Sequence, residues 1–264
     1  MKQVYLQQFI AKNTQFSRRK AVELIKQKVV MVNDSIALIG QKIDPQQDEV
    51  KIKAAECSTW NILINDPDAL VYYLVNKPAG YVCTLSDRFA VKKVVDLVPR
   101  IPKVYPVGRL DADTEGLIIL TNDGDFAYKL THPKFEVEKE YYVEASRNVP
   151  PQTTRRARVR DRRGTFVSPI DVQQVKDQLL RGVKLDDGAA KVDQINNINK
   201  LSTDTIQLNL VLHSGKKRII RRIFGALGWK VIKLVRIRIG TVKIDVPTGQ
   251  FRKLSELEVK KLMK

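Results

Sequence analysis

Gly108-Arg109-Leu110-Asp111-Ala112-Asp113-Thr114-Glu115-Gly116-Leu117-Ile118-Ile119-Leu120-Thr121-Asn122-Asp123-Gly124 is the stretch from which the rest of the chain is best read. Three carboxylates and two glycines precede an apolar run, Leu117 to Leu120, that reads as a buried strand closed by the Asn122-Asp123-Gly124 turn. Asp111 therefore stands in a loop that feeds a sheet. Leu110 and Ala112 flank it, and a carboxylate carried into apolar surroundings is costly unless a cation meets it, so a basic partner is expected elsewhere in the chain. One Asp near a glycine could equally be a turn former at the surface. The length of the motif favours a cleft.

With 264 residues and 43% apolar content, the chain can bury a real core in one large or two modest domains. Its formal charge of +18, from 47 Lys and Arg against 29 Asp and Glu, exceeds what solubility needs and implies a polyanionic partner. Nucleic acid is the first candidate and an anionic membrane the second. No apolar run approaches the ~20 residues of a membrane span, and Met1 to Phe16 is too polar for a secretory signal. A cytoplasmic location is expected, or an organelle matrix. Cys57, Cys83, His132 and His213 are too few and too scattered for a metal cluster or a disulfide framework, so no metal is expected.

Along the chain, Ser17 is a predicted N-cap for a helix with Ala21, Val22, Leu24, Ile25 and Val29 on one face. Arg18, Arg19, Lys20, Lys26 and Lys28 cover the other face, and short strands follow at Val29–Val32, Ile36–Ile39 and Val50–Ile52. Read blandly, this is a small solvated domain whose charges serve solubility. Asn65-Asp66-Pro67-Asp68 is a candidate domain junction. The strand Val71–Val75 is broken by Asn76-Lys77-Pro78-Ala79-Gly80, and a helix over 125–130 should end at His132-Pro133. Glu138–Glu144 alternates as a strand, which sends Tyr141 and Tyr142 to opposite faces. Arg155, Arg156, Arg158, Arg160, Arg162 and Arg163 then place six arginines within nine positions. Ser168-Pro169-Ile170-Asp171 predicts a helix over 169–182 with Ser168 as its cap. Asn196–Ser202 reads as a polar turn, and Thr205–Leu212 as a strand. The basic run from His213 opens a helix with Ile219, Ile220, Ile223 and Leu227 toward the core. Val231–Leu234 and Ile237–Val246 supply the last strands, and Ser255 caps a closing helix.

Gly108-Arg109-Leu110-Asp111-x-x-Thr114-x-Gly116-Leu117 resembles the signature of RNA pseudouridine synthases, in the branch named after RsuA. Lys77-Pro78-Ala79-Gly80 resembles that family's first motif, and Lys139-x-Tyr141 its Lys-x-Tyr pattern. Gly182-Val183-Lys184-Leu185-Asp186-Asp187-Gly188 is similar to its Gly-Val-x-Leu-x-Asp-Gly element. Gly215-Lys216-Lys217-Arg218-Ile219-Ile220-Arg221-Arg222 resembles the third motif, with Ile219 where Gln or Glu is usual. The order from Ser17 to Asp48 is similar to the S4 RNA-binding domain, although Lys28 and Asp34 stand where those domains usually have glycine.

The resemblance implies an α+β chain. A small S4-like RNA-binding domain would occupy 1–56 and a linker 57–68. A mixed, largely antiparallel synthase domain would occupy 69–264, with an arginine-rich insert at 148–167 for which the family offers no guide. It implies that Asp111, Tyr141 and Arg221 are catalytic. Asp111 would attack the ribose C1′, or stabilise and deprotonate the sugar as the base leaves. Arg221 would pair with Asp111 through its planar fork, and Tyr141 would stack on a flipped uracil, a phenol being a poor base at neutral pH. Arg18, Arg19, Lys20, Lys77, Arg109, Lys216, Lys217, Arg218 and Arg222 would contact RNA. Isomerising uridine to pseudouridine needs no redox agent or energy source, so no cofactor is expected, and the sequence holds no dinucleotide or phosphate-cradling glycine loop. The implied partner of this monomer is ribosomal RNA or a pre-ribosomal particle, not a membrane. Glu138–Tyr141, Arg181–Gly188 and Leu234–Arg238 look closer to the large-subunit members. The alternative is a non-catalytic rRNA-binding assembly factor on the same fold, which Ile219 and the arginine insert favour and intact Asp111, Tyr141 and Arg221 oppose.

Overall fold

Leu117, Ile118, Ile119 and Leu120 are all fully buried in the strand Glu115–Thr121. Alternation sends Leu117 and Ile119 into one apolar cluster with Leu74, Phe126 and Leu130. Ile118 and Leu120 enter another with Tyr73, Val75 and Val104. A strand that is apolar on both faces belongs at the centre of a covered sheet. The computed structural model describes residues 3–14, 16–53, 60–63, 70–85, 91–99, 102–147, 159–160, 166–167 and 170–264. Two compact units, Met1–Leu70 and Val71–Lys264, divide the chain. Cys57, the Asn65–Asp68 junction and most of the arginine insert lie outside the described residues.

In the larger unit the main sheet runs Gln194–Lys200, Thr205–Leu212, Lys139–Arg147, Trp229–Ile239, Glu115–Thr121, Tyr72–Lys77, Phe251–Lys253. Among the described residues its ladders are antiparallel except where Glu115–Thr121 meets Trp229–Ile239, with Val235 opposite Glu115 and Arg236 opposite Gly116. Gly116 makes that junction possible. Its φ is +105°, and a Cβ there would lie 2.3 Å from the Arg236 carbonyl oxygen and 2.6 Å from its nitrogen. The helix Gly124–Thr131 is capped by Asp123, whose side chain accepts from the Asp125 and Phe126 amides.

Several expectations are corrected. The helix predicted over 169–182 begins at Val172, and Asp171 rather than Ser168 caps it, accepting from the Gln173 and Gln174 amides. A carboxylate that can reach two orphan N–H groups is a strong cap. Asn196–Ser202 is not a turn. Gln194–Lys200 is the edge strand against Thr205–Leu212, with a bulge between Ile195 and Asn197, and its exposed asparagines hide the alternation. Trp229–Ile239 is one strand of 11 residues rather than two, and Ile36–Ile39 shortens to Ser35–Ile36. The helix after the basic run spans Ile219–Ala226, with Arg218 left-handed at φ +52° just before it.

The smaller unit packs the helices Leu6–Asn13 and Arg18–Lys26 on a sheet ordered Ser35–Ile36, Val30–Val32, Val50–Lys53, Trp60–Leu63. Leu6, Ile10, Ala21, Ile25, Val30 and Val50 form its core. Ser17 caps the second helix by accepting from the Lys20 amide. Lys28 and Asp34 both take left-handed backbone, at φ +57° and +65°. Among the described residues no helix is long and apolar enough to cross a membrane.

Candidate active site

The loop that carries Asp111 is pinned from both sides. The Thr114 amide donates to the Asp111 carbonyl at 3.0 Å, and the Gly80 amide donates to the Ala112 carbonyl at 2.7 Å. Leu110 is buried, and its amide donates to the Cys83 sulfur at 3.3 Å. Lys77 completes the clip: its ammonium donates to the carbonyls of Pro78 at 3.0 Å, Tyr81 at 2.8 Å and Ala112 at 3.3 Å. This corrects the expectation that Lys77 contacts RNA. With 0% exposure it cannot reach a phosphate. It ties the Lys77–Gly80 turn to the residue beside Asp111, and burial lowers its pKa against the opposing pull of Cys83 and the nearby acids.

The arginines divide differently from the expected Asp111–Arg221 pair. Arg218 approaches the Asp111 carboxylate at 3.8 Å and reaches Asp113 at 3.3 Å. Arg221 meets Asp113 instead, at 3.1 Å from its carboxylate and 3.1 Å from its carbonyl, and donates to the Val231 carbonyl at 3.2 Å. The reason is positional. Arg218, left-handed ahead of the helix, faces the loop tip, whereas Arg221, one turn in, lies against the backbone that follows Asp111. Ile219, standing where the resemblance expects Gln or Glu, is buried in the core.

Asp111 and Arg218 face a cleft of about 700 Å³ that Tyr141, Lys139, Arg236 and Leu234 also line. Tyr141 is partly buried, while Tyr142 points to the other face and donates to Glu144 at 2.7 Å, an interaction that with burial pushes its pKa up to about 12. Lys139 donates to the Val137 carbonyl at 2.7 Å, and burial with the charge of Arg236 pulls its pKa down to about 8. Arg236 is 3% exposed, gives its Nε–H to the Leu117 carbonyl at 2.7 Å, and leaves a buried Nη2 without a partner. Two cations with little countercharge thus sit beside the tyrosine.

Arg109, Lys216, Lys217 and Arg218 line the same cleft. Arg222 does not. It forms a two-pronged bond to Asp187 at 2.6 and 2.9 Å, and the Lys216 ammonium donates to the Asp187 carbonyl at 3.1 Å. Those contacts fasten the hairpin Val183–Leu185 and Gly188–Ala190 to the helix Ile219–Ala226 and use cations expected to meet RNA. Arg18, Arg19 and Lys20 are exposed on the smaller unit. Sequence reading named Lys139 only within the Lys-x-Tyr pattern and gave neither it nor Arg236 a role of its own. A signal was present for Arg236, which shares the inward face of its strand with Leu234 two positions earlier, a rare place for a charge.

A carboxylate loop, an aromatic ring and a cationic rim around one cleft, in a chain of charge +18, suit an enzyme acting on RNA. The chain belongs to the RNA pseudouridylate synthase family, whose model matches residues 71–226. It is 36% identical over 97% of its length to the ribosomal large subunit pseudouridine synthase B of Bacillus subtilis, covering 94% of that protein. It is 31% identical over 98% of its length to the ribosomal small subunit pseudouridine synthase A of Haemophilus influenzae, covering 99% of that protein. A crystal structure of a pseudouridylate synthase superposes with a TM-score of 0.60 at 26% identity, covering 98% of this chain and 99% of the other.

Proposed function

We propose that the chain isomerises uridine to pseudouridine in ribosomal RNA, specifically of the large subunit, with Asp111 as the reacting carboxylate. The observation that carries this reading is the convergence of Asp111, Arg218 and Tyr141 on one cleft inside the segment the family model matches. In the reaction the N1–C1′ bond breaks and its electron pair stays on the uracil. Asp111 either takes C1′ as an ester or removes a sugar proton. The base turns, C5 bonds to C1′ as the Asp111–C1′ ester bond breaks or as Asp111 returns the sugar proton, and the proton lost from C5 is matched by one taken up at N1, so atoms balance with no other reactant. Arg218 supplies countercharge to Asp111, and Arg221 holds the loop through Asp113. Tyr141 receives the ring that has left its stack, an exit costing a few kcal/mol. Lys139 and Arg236 line the cleft with Tyr141 and would stabilise the negative charge of the departing uracil, as cations in a desolvated site do. Exposed Arg18, Arg19 and Lys20, in an S4-like unit, supply phosphate contacts that position rather than react.

Mapping pseudouridine in the rRNA of cells with and without this protein tests the reading. Loss of a large-subunit site on deletion is the expected result. An unchanged map would refute it, and loss confined to small-subunit rRNA would replace the subunit assignment.

A further inference from the structure

Beside the cleft, the chain builds a second aromatic surface that the chemistry above does not use. The helix Gly124–Thr131 ends at His132, the turn Pro133–Phe135 follows, and the chain leaves through Glu136 in left-handed backbone at φ +46°. This reversal gathers Tyr128, His132 and Phe135. Tyr128 and His132 lie 4.7 Å apart between ring centroids, Tyr128 and Phe135 5.8 Å apart at 89°, and His132 and Phe135 6.3 Å apart. The His132 ring is held in place because its Nδ1 accepts from the Lys134 amide at 3.2 Å. None of the three belongs to the apolar clusters of the core, and Tyr128 is 48% exposed.

Cations stand over these rings. The exposed Lys134 ammonium lies 5.2 Å from the Tyr128 centroid and 4.7 Å from that of Phe135. Lys129 lies 5.1 Å from Phe135 and is also held by the carbonyls of Met263 and Lys264 at 2.8 and 3.0 Å. Lys134 is thus the cation better able to follow a ligand. His132 and Pro133 line the same cleft as Asp111, so the surface continues from its rim.

We propose that Tyr128, with Lys134, is a stacking platform for an unpaired RNA base flanking the target uridine, with the ammonium on that nucleotide's phosphate. The inference rests on the uridine-isomerising reading and extends it to a neighbouring nucleotide. Flipping a uridine leaves its neighbour without a stacking partner, and an aromatic face flanked by a cation replaces both the lost stack and the counterion. A protein partner would also bury a tyrosine. The lysine over the ring and the chain's charge of +18 favour RNA.

The full chain and unmodified transcripts of the two large rRNAs provide the test. Tyr128→Leu keeps an apolar side chain without an aromatic face, and should weaken binding roughly ten- to a hundredfold, as loss of one base–aromatic stack does. Tyr128→Phe should bind like the parent, because it keeps the face. Lys134→Gln should lower the slope of log affinity against log salt by about 0.7, the loss of one single-strand phosphate contact. Single-turnover rates at saturating enzyme should change little in all three. Unchanged affinity in Tyr128→Leu, or equal losses in Tyr128→Leu and Tyr128→Phe, would overturn the platform. A parent protein that binds these transcripts but forms no pseudouridine would refute the catalytic reading and leave the platform standing.

Discussion

Arg218 and Arg221 stand three positions apart and both reach Asp113, but only Arg218 also approaches Asp111, so the consequences of replacing them should differ. Arg221 spans Asp113 and the Val231 carbonyl with separate nitrogens, which one ammonium cannot do. Arg221→Lys should lower the single-turnover rate by about 10- to 100-fold, the weight of one or two charged hydrogen bonds, with little change in RNA affinity. A rate within twofold of the parent would show that the loop holds its position without the fork. Lys139 gives a pH prediction. Its pKa falls from 10.5 to about 8 on folding, so between those values the unfolded chain binds more protons and stability rises with pH. Lys139→Met should therefore be more stable than the parent near pH 7.5, and the difference should shrink by about 1–2 kcal/mol by pH 9.5. Parallel urea titrations of both proteins measure this, and a difference independent of pH would mean that Lys139 is not desolvated in solution. At this scale the sequence was half legible. The Asp111 loop was readable because glycines, acids and an apolar run form one long pattern. Which carboxylate Arg221 takes was not, since Asp111 and Asp113 differ only in how the loop backbone turns them. The burial of Lys77 also ran against residue preference, as lysine is seldom fully enclosed.

Among the elements, the parallel contact between Glu115–Thr121 and Trp229–Ile239 brings the Asp111 loop beside Tyr141's neighbouring strand. Gly116 is its tightest point. Gly116→Ala combines a 2.3 Å clash against backbone with a φ of +105°, so it should cost at least 3 kcal/mol or prevent folding. A variant with parental denaturation would mean that the two strands can separate freely at that point. Buried strands and capped helices were legible from period and cap residues. The edge strand Gln194–Lys200 was not, because an edge needs few apolar side chains and asparagines mimic a turn. The long strand Trp229–Ile239 was split in reading because Lys233, Arg236 and Arg238 interrupt its alternation, and its partner ladder carries register shifts at Glu140/Tyr141 and Glu144/Ala145.

At the level of the whole chain, a charge of +18 is spread over two units rather than one amphipathic helix, which suits a long polyanion. Arg18→Ser with Arg19→Ser, both exposed, should weaken rRNA binding and lower its salt slope by about 1.5, while leaving single-turnover chemistry at saturating enzyme intact. An unchanged slope would remove that helix from the RNA interface. Which basic residues would be held within the protein was not legible in the sequence: Lys77 and Arg222 spend their charge there. The most direct measurement is tritium release from an rRNA transcript labelled at uridine C5, since forming the C5–C1′ bond must expel that hydrogen. The parent protein should release label from its target uridine, and Asp111→Asn, folded and binding the same transcript, should release none above background. Release by Asp111→Asn at a rate near the parent's, or none by the parent, would contradict the assignment of Asp111 as the carboxylate of a uridine isomerase.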